Sequence, residues 1–236
     1  MQSLEKFEKI LGIKFKNSNL LKEALTHRSY LNENPHWKFG QNERLEYLGD
    51  AVLELVVSEY LFHKYPDYPE GKLTSLRAAL VNYKMISKVG KEISLDKFIL
   101  VSKGEAKDTS KAKEIIIANA FEAVLGAIYL DQGYKVAKNF ILKTVIQHLE
   151  EVIHFGLDKD PKSLLQEIVQ EKTKITPIYK VLKEEGPDHK RVFYVGVFLN
   201  EEKIATGVGL SKQEAEINAA KSALDIIGEK WTNKKV

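Results

Sequence analysis

The stretch NERLEYLGDAVLELV, residues 42–56, decides how this chain is read. At helical spacing it forms one helix with two incompatible faces. Leu45, Leu48, Val52, Leu55 and Val56 share one apolar arc, and Glu43, Glu46, Asp50 and Glu54 recur at steps of three, four and four on the other side. No Lys stands three or four residues from any of these acids, and Arg44 lies off the stripe. Like charges at this spacing repel. Two readings fit the stripe alone: a solvated acidic face, or carboxylates that await a divalent cation.

Outward from this helix, the whole chain sets bounds. Its 236 residues suffice for one or two domains with real cores. There is no cysteine, which excludes disulfides, thiolate catalysis and Cys-based zinc sites. The start, MQSLEKFEKILG, is amphipathic and mixed in charge, unlike a signal peptide. The most apolar run, residues 115–130, contains Asn119 and Glu122 and falls short of the ~18–20 residues a bilayer requires. The expectation is a cytoplasmic protein with no membrane partner. Net charge is +3, from 36 Lys plus Arg against 33 Asp plus Glu, and acids and bases balance within both 1–160 and 161–228. Nucleic-acid binding would therefore rest on the placement of charges, not their sum. Arg occurs only at 28, 44, 77 and 191, which suits planar pairing roles.

Everything before residue 156 reads as helical. Residues 1–35 give a helix, a turn and a second helix capped by Asn17-Ser18-Asn19 that runs through LLKEALTHRSY. Thr26 to Ser29 form a polar cluster at its end, where His27 suits a structural hydrogen bond. EGKLTSLRAALV (70–81) and residues 82–93 are further helices, and 102–113 reads as a polar loop. In EIIIANAFEAVLGAIYLDQGY, Phe121, Val124, Leu125 and Ile128 make one face, with Asn119 and Glu122 opposite. Residues 135–155 form a last amphipathic helix.

The period then changes. KSLLQEIVQEK is a helix opened by Pro161, and three strand-like runs follow: PIYKVLK, RVFYVGVFL and KIATGVGL. Ser211 with Glu214 is a capping box opening the last helix. The expected fold class is an all-α N-terminal domain followed by a small α+β domain of order α-β-β-β-α. The expected divisions are 1–156, a linker at 157–160, 161–228 and a basic tail at 229–236. Lys212 stands in the first turn of the final helix, where a cation opposes the helix dipole unless a phosphate is received there. Gln166 and Gln170, at i,i+4, suit hydroxyls and base edges in a shallow groove, and His189 sits at the tip of the GPDHK turn.

These motifs together carry a resemblance. PKSLLQEIVQ, TPIYKVLKEEGPDHKRVF and ATGVGLSKQEAEINAAKSAL resemble a double-stranded RNA-binding domain. NERLEYLGDAVL, with ALTHRSY before it and EGKLTSLRAALV and AFEAVLGAIYLDQGY after it, resembles the signature of bacterial ribonuclease III. The order of the two halves is that family's order. The resemblance implies a dimeric helical endonuclease domain that hydrolyses both strands of an RNA duplex. It implies 5′-phosphate and 3′-hydroxyl ends with short 3′ overhangs, and a part in processing ribosomal precursors and other structured RNAs. It implies Mg²⁺, with Mn²⁺ able to substitute, held by Glu46, Asp50 and Glu122 together with position 119. Glu43 and Glu70 belong to the same acidic site or to its partner across the dimer, and catalysis falls to Asp50, Glu122, Glu43 and Glu70. Gln166, Gln170, His189 and Lys212 match RNA-contacting positions. Hard oxygen donors without His or Cys favour these ions over zinc.

The sequence departs from the pattern twice. Position 119 is Asn where the family has Asp, which takes one negative charge from the metal shell and is expected to impair catalysis. The alternative is a non-catalytic RNA-binding protein on the same scaffold. Gln213 stands where a second Lys often follows Lys212, which predicts weaker phosphate gripping.

Overall fold

A computed structural model describes residues 3–107, 109–187 and 190–232. The chain divides into two compact units, Met1–Asp158 and Lys159–Val236.

In the first unit, α1 (Leu4–Leu11) ends at Gly12, whose φ of 66° suits a residue without a Cβ. After it come α2 (Ser18–Ala24) and α3 (Arg28–Glu33). The single helix expected through LLKEALTHRSY is therefore two. Between them Leu25 O accepts from Leu100 N at 2.7 Å, His27 N donates to Leu100 O at 2.9 Å, and Thr26 O accepts from Asn42 N at 2.9 Å. The helix breaks because its backbone groups serve a distant segment and the start of the signature helix instead. His27 restarts it: Nδ1 accepts from Ser29 N at 3.3 Å.

The signature helix is α4 (Glu43–Lys64), 22 residues long and well past Val56. α5 (Glu70–Val81) and α6 (Tyr83–Glu92) follow, the latter capped by Asn82 Oδ1, which accepts from Lys84 N and Met85 N at 3.1 Å each. The segment read as a polar loop holds α7 (Lys103–Lys107) and the start of α8 (Lys111–Gln132). Glu33, far off in sequence, accepts from Lys103 N at 3.2 Å and Ser110 caps α8, so polar side chains make helix ends where no apolar period is visible. Residues 135–155 are α9 (Tyr134–Thr144) and α10 (Leu149–His154), separated by a 3₁₀ turn at 146–148.

α8 forms the centre of this unit. Ala120, Phe121, Ala123, Val124, Leu125, Ala127 and Ile128 are all fully buried, so it is enclosed nearly all round and not on one face as its sequence suggests. α4 packs along it. On α4, Val52, Leu53, Val56, Val57 and Leu61 are buried, whereas Leu55, expected in the core, is 57% exposed. The core arc is rotated because α8 demands a close backbone approach at Gly49.

In the second unit, α11 (Pro161–Thr173) and α12 (Lys212–Thr232) lie with a three-stranded antiparallel sheet, β1 (Ile178–Glu185), β2 (Val192–Leu199) and β3 (Glu202–Gly209), in the order β1-β2-β3. Ala215, Ala219, Ala220 and Ala223 are fully buried, and a Cβ on Gly207 would stand 2.1 Å from Ala219 N. Small residues on both elements seat α12 directly on β3. The α-β-β-β-α order is the expected one. Among the described residues no helix is long and apolar enough to cross a membrane.

Candidate functional site

The site is built where α4 crosses α8. A Cβ on Gly49 would fall 1.7 Å from the Glu122 carbonyl oxygen, and one on Gly126 would fall 2.3 Å from the Leu45 carbonyl oxygen. Each glycine removes the side chain that would hold the two backbones apart. Gly49 lies between Glu46 and Asp50 in sequence, so the close approach carries those two acids towards Asn119 and Glu122.

Their electrostatics register the convergence. Burial pushes the Glu122 carboxyl up to about 8, and the nearby charges of Asp50 and Glu46 contribute to the rise. Glu46 is raised by burial, then by Glu43 and Asp50, while a hydrogen bond from the Asn119 amide opposes the shift. Asp50 is raised by burial and by Glu54. All three carboxylates thus lie above their ordinary range. Among the described residues no group of three His, Cys, Asp or Glu side chains closes tightly enough to hold a metal ion as it stands. The donor chemistry nevertheless fits a hard divalent cation: three carboxylates and one carboxamide oxygen, with no sulfur or imidazole among them.

The crowding bears on stability as well. Glu122 binds its proton more tightly folded than unfolded, so between its ordinary value near 4.5 and about 8 the folded state holds more protons. In metal-free buffer, stability contributed at Glu122 is therefore present below pH ~4.5 and falls as pH rises through 8. Urea unfolding of the parent and of Glu122→Gln from pH 5 to 8.5 checks this. The variant is expected to lose less stability over that window, and parallel profiles would contradict the assignment.

The two outlying acids are placed differently. Glu43 lies at the start of α4, where Gln41 Nε2 donates to Glu43 Oε2 at 2.9 Å and Arg28 Nη1 stands 3.7 Å from Oε1. Gln41 Oε1 also accepts from Glu43 N at 2.9 Å, so Gln41 serves as the cap that Asn42 does not provide. Glu70 opens α5, takes a 2.8 Å hydrogen bond from Thr74 Oγ1, and borders a hollow with Leu55, Ser58, Glu59, Phe62 and Arg77. Among the described interactions none joins Glu70 to the cluster.

In the second unit, Gln166 is exposed on α11 and lines a polar hollow with Asp160, Lys162, Ser163, Tyr179 and Gln213. Gln170 Nε2 donates to Thr176 Oγ1 at 3.0 Å. Lys212 opens α12 with Nζ 3.3 Å from Glu184 Oε1 and 5.6 Å from the Phe193 ring centroid. That ion pair offsets the dipole cost that made Lys212 conspicuous in the sequence. His189 lies outside the described residues. The expected capping box forms in altered shape: Glu214 N donates to Ser211 Oγ at 3.1 Å, but Glu214 Oε2 accepts from Leu210 N at 2.7 Å, one residue earlier than in the usual motif.

Sequence reasoning missed the two glycines, Gln41 and Asp131. The last accepts from Lys16 N and Asn17 N at 2.8 Å each and ties the loop after α1 to the end of α8. A glycine inside each of two long helical patterns was a readable signal of close packing.

A helical domain presenting crowded carboxylates, followed by an α-β-β-β-α fold, matches what the resemblance implies, a nuclease joined to a duplex-RNA-binding module. Comparison with known proteins agrees. The Ribonuclease-III-like family model matches residues 17–149, and the double-stranded RNA binding motif matches 161–227. Ribonuclease 3 of a Nitratiruptor species is 47% identical over 227 residues, covering 96% of this chain and 98% of that protein. Ribonuclease 3 of Clostridium perfringens is 44% identical over 230 residues, covering 97% and 96%. The solved nuclease domain of ribonuclease III from Campylobacter jejuni aligns with a TM-score of 0.56 at 46% identity, covering 61% of this chain and 97% of that one. The chain belongs to the ribonuclease III family and is an endoribonuclease of double-stranded RNA.

Proposed function

We propose that this protein cuts RNA duplexes at the α4–α8 crossing, with Glu46, Asp50, Asn119 and Glu122 holding Mg²⁺, or Mn²⁺ in its place. The observation that carries the reading is the convergence of Glu46, Asp50 and Glu122, which together with burial drives the Glu122 carboxyl up to about 8. The same convergence argues against the non-catalytic alternative, since a purely RNA-binding scaffold has no use for crowded acids. An ion held by these residues would supply activation of a water and stabilisation of the departing oxygen. The chain's own part is to orient: the Asn119 amide fixes the Glu46 carboxylate beside Asp50, and Gln41 with Arg28 holds Glu43 at the margin. Glu70 contributes from its own position on α5.

The proposed assembly is a homodimer through the first unit. Tyr47 at 82% exposure and Phe62 at 66%, with Leu55, leave an apolar surface on α4 that a second copy would cover. The related Campylobacter jejuni nuclease domain is described as having a region involved in dimer formation. Two copies would cut both strands, leaving 5′-phosphate and 3′-hydroxyl ends with short 3′ overhangs, in cytoplasmic processing of ribosomal precursors and other structured RNAs. The proposed divisions remain 1–156, 157–160, 161–228 and the basic tail 229–236. Mapping both ends of fragments from a long duplex, beside sedimentation of the free protein, tests this. Staggered ends and a dimer are expected; blunt ends from a monomer would overturn it.

Asn119 is proposed to weaken the ion site by supplying a neutral oxygen in place of a charged one. Asn119→Asp is expected to bind Mg²⁺ about tenfold more tightly in calorimetric titration and to cut faster at limiting Mg²⁺. Equal affinities and rates would show Asn119 to be a neutral variant.

Gln166, Gln170, His189 and Lys212 are proposed to grip RNA, with Lys212 on a phosphate. Gln213→Lys adds one such contact, so log Kd against log salt should steepen by about one unit. An unchanged slope would place residue 213 away from the phosphates.

A further inference from the structure

A hollow of about 390 Å³ opens in the second unit between the first turns of α11 and α12, at the foot of β1. That size is within the range of small-ligand sites. Gln166 on α11 and Gln213 on α12 line it, both exposed, and Pro177 and Ile217 add apolar wall. Lys162 is held along its margin, ion-paired with Glu216 and with Nζ 4.8 Å from the Tyr179 ring centroid. The Tyr179 hydroxyl is the anomaly. It is buried, and among the described residues no hydrogen-bond partner satisfies it. An unpaired buried hydroxyl destabilises a fold, so its retention calls for a reason. Burial, then the charges of Asp160 and Glu216, push this phenol up to about 12, so it keeps its proton and is available to donate.

The lining selects among ligands. A phosphate would meet Asp160 in the wall and Glu216 beside it, two acids against the one charge of Lys162. A carboxamide carries donors and an acceptor side by side, the pattern that a nucleobase edge presents. Apolar wall suits the flat face of a base. A base stacked in a duplex cannot enter, whereas one left unpaired and turned outward can. The same two helices carry Gln166 and Lys212, which are proposed to touch RNA, so the hollow lies between the two grips. We infer that it takes one unpaired nucleobase of the bound RNA, with Tyr179 Oη donating to the base and the Gln166 and Gln213 amides meeting its edge. The second unit thereby settles preferentially where a duplex is interrupted, which a grip on phosphates and groove shape does not arrange. The inference rests on the proposed RNA grip of α11 and α12, and not on the metal site.

Binding of the full chain to short RNA duplexes in EDTA tests this without cleavage. Duplexes of equal length are compared: fully paired, interrupted by a single unpaired nucleotide with each base in turn, and interrupted by an abasic nucleotide. The parent is expected to bind at least one base-bearing interruption several-fold more tightly than the paired duplex, and the abasic one no more tightly than the paired. Tyr179→Phe removes the unpaired hydroxyl and no carbon. It should melt at or above the parent's temperature, keep the parent's affinity for the paired duplex, and lose most of the preference. Should it not fold, Gln213→Ala, a truncation of an exposed side chain, takes its place with the same expected loss. No preference in the parent, equal preference for the abasic interruption, or a preference that survives the substitution would overturn the base site while leaving the grip on paired RNA in place. Failure of the parent to bind any of the duplexes would overturn the grip, and the base site with it.

Discussion

Glu122→Gln is expected to abolish duplex cleavage while leaving fold and RNA binding intact. The substitution keeps the volume of the side chain and removes its charge. Glu122 is the most perturbed acid of the cluster, raised to about 8 by burial and by its neighbours Asp50 and Glu46. A cation must displace the proton from such a carboxyl and then meets its full negative charge, which an amide never offers. A loss of about 10³-fold or more in single-turnover rate is expected, which corresponds to about 4 kcal/mol of transition-state stabilisation. Duplex affinity measured in EDTA should be unchanged, since the proposed RNA grip lies in the second unit. The same variant should gain stability at pH 8 in metal-free buffer. Gained stability with lost activity would separate a functional acid from a structural one. Cleavage within a few-fold of the parent would remove Glu122 from the site.

Gly49→Ala should be among the most damaging single-carbon changes in the chain. On an isolated helix it would be favourable by ~1 kcal/mol, because Ala is the better helix former. Here the added Cβ would stand 1.7 Å from the Glu122 carbonyl oxygen, 2.6 Å from its carbonyl carbon and 2.9 Å from Gly126 N. All three are backbone atoms, so no side-chain rotation relieves the clash and α4 must part from α8. Overpacking of this kind costs ~1–3 kcal/mol or more. With backbone on both sides, a loss of at least ~3 kcal/mol in denaturant unfolding is expected. Parting the helices also separates Glu46 and Asp50 from Glu122, so the folded fraction should cleave far more slowly than its abundance predicts. Stability equal to or above the parent would show that the helices do not cross this closely.

The contrast between these two substitutions marks what the sequence exposes. Glu46, Asp50 and Glu122 are legible because acids at helical spacing without counterions are locally anomalous. The α-β-β-β-α order is legible because the period switches after residue 156 and each strand is rich in β-branched and aromatic residues. Gly49 and Gly126 are harder, because their meaning lies in the partner helix and not in their own neighbours. The exposure of Leu55 follows from the same cause: the crossing point sets the rotation of α4, and periodicity alone does not contain it. The break at Leu25–His27 comes from pairing with Leu100, 74 residues on from Thr26, which no local window can see. Lys212 is a different case: Glu184, on a different element, offsets the helix-dipole cost that made its placement conspicuous, a partner that no local window could supply.

The central claim is that the carboxylates at the α4–α8 crossing hold the ion that cuts duplex RNA. It is tested most directly by incubating the full chain with an end-labelled long RNA duplex, with Mg²⁺ or with EDTA, on a denaturing gel. Discrete fragments with Mg²⁺, intact duplex in EDTA, and no fragments from Glu122→Gln in either buffer are the predicted result. Fragments that persist in EDTA, or that Glu122→Gln produces at the parent's rate, would contradict it.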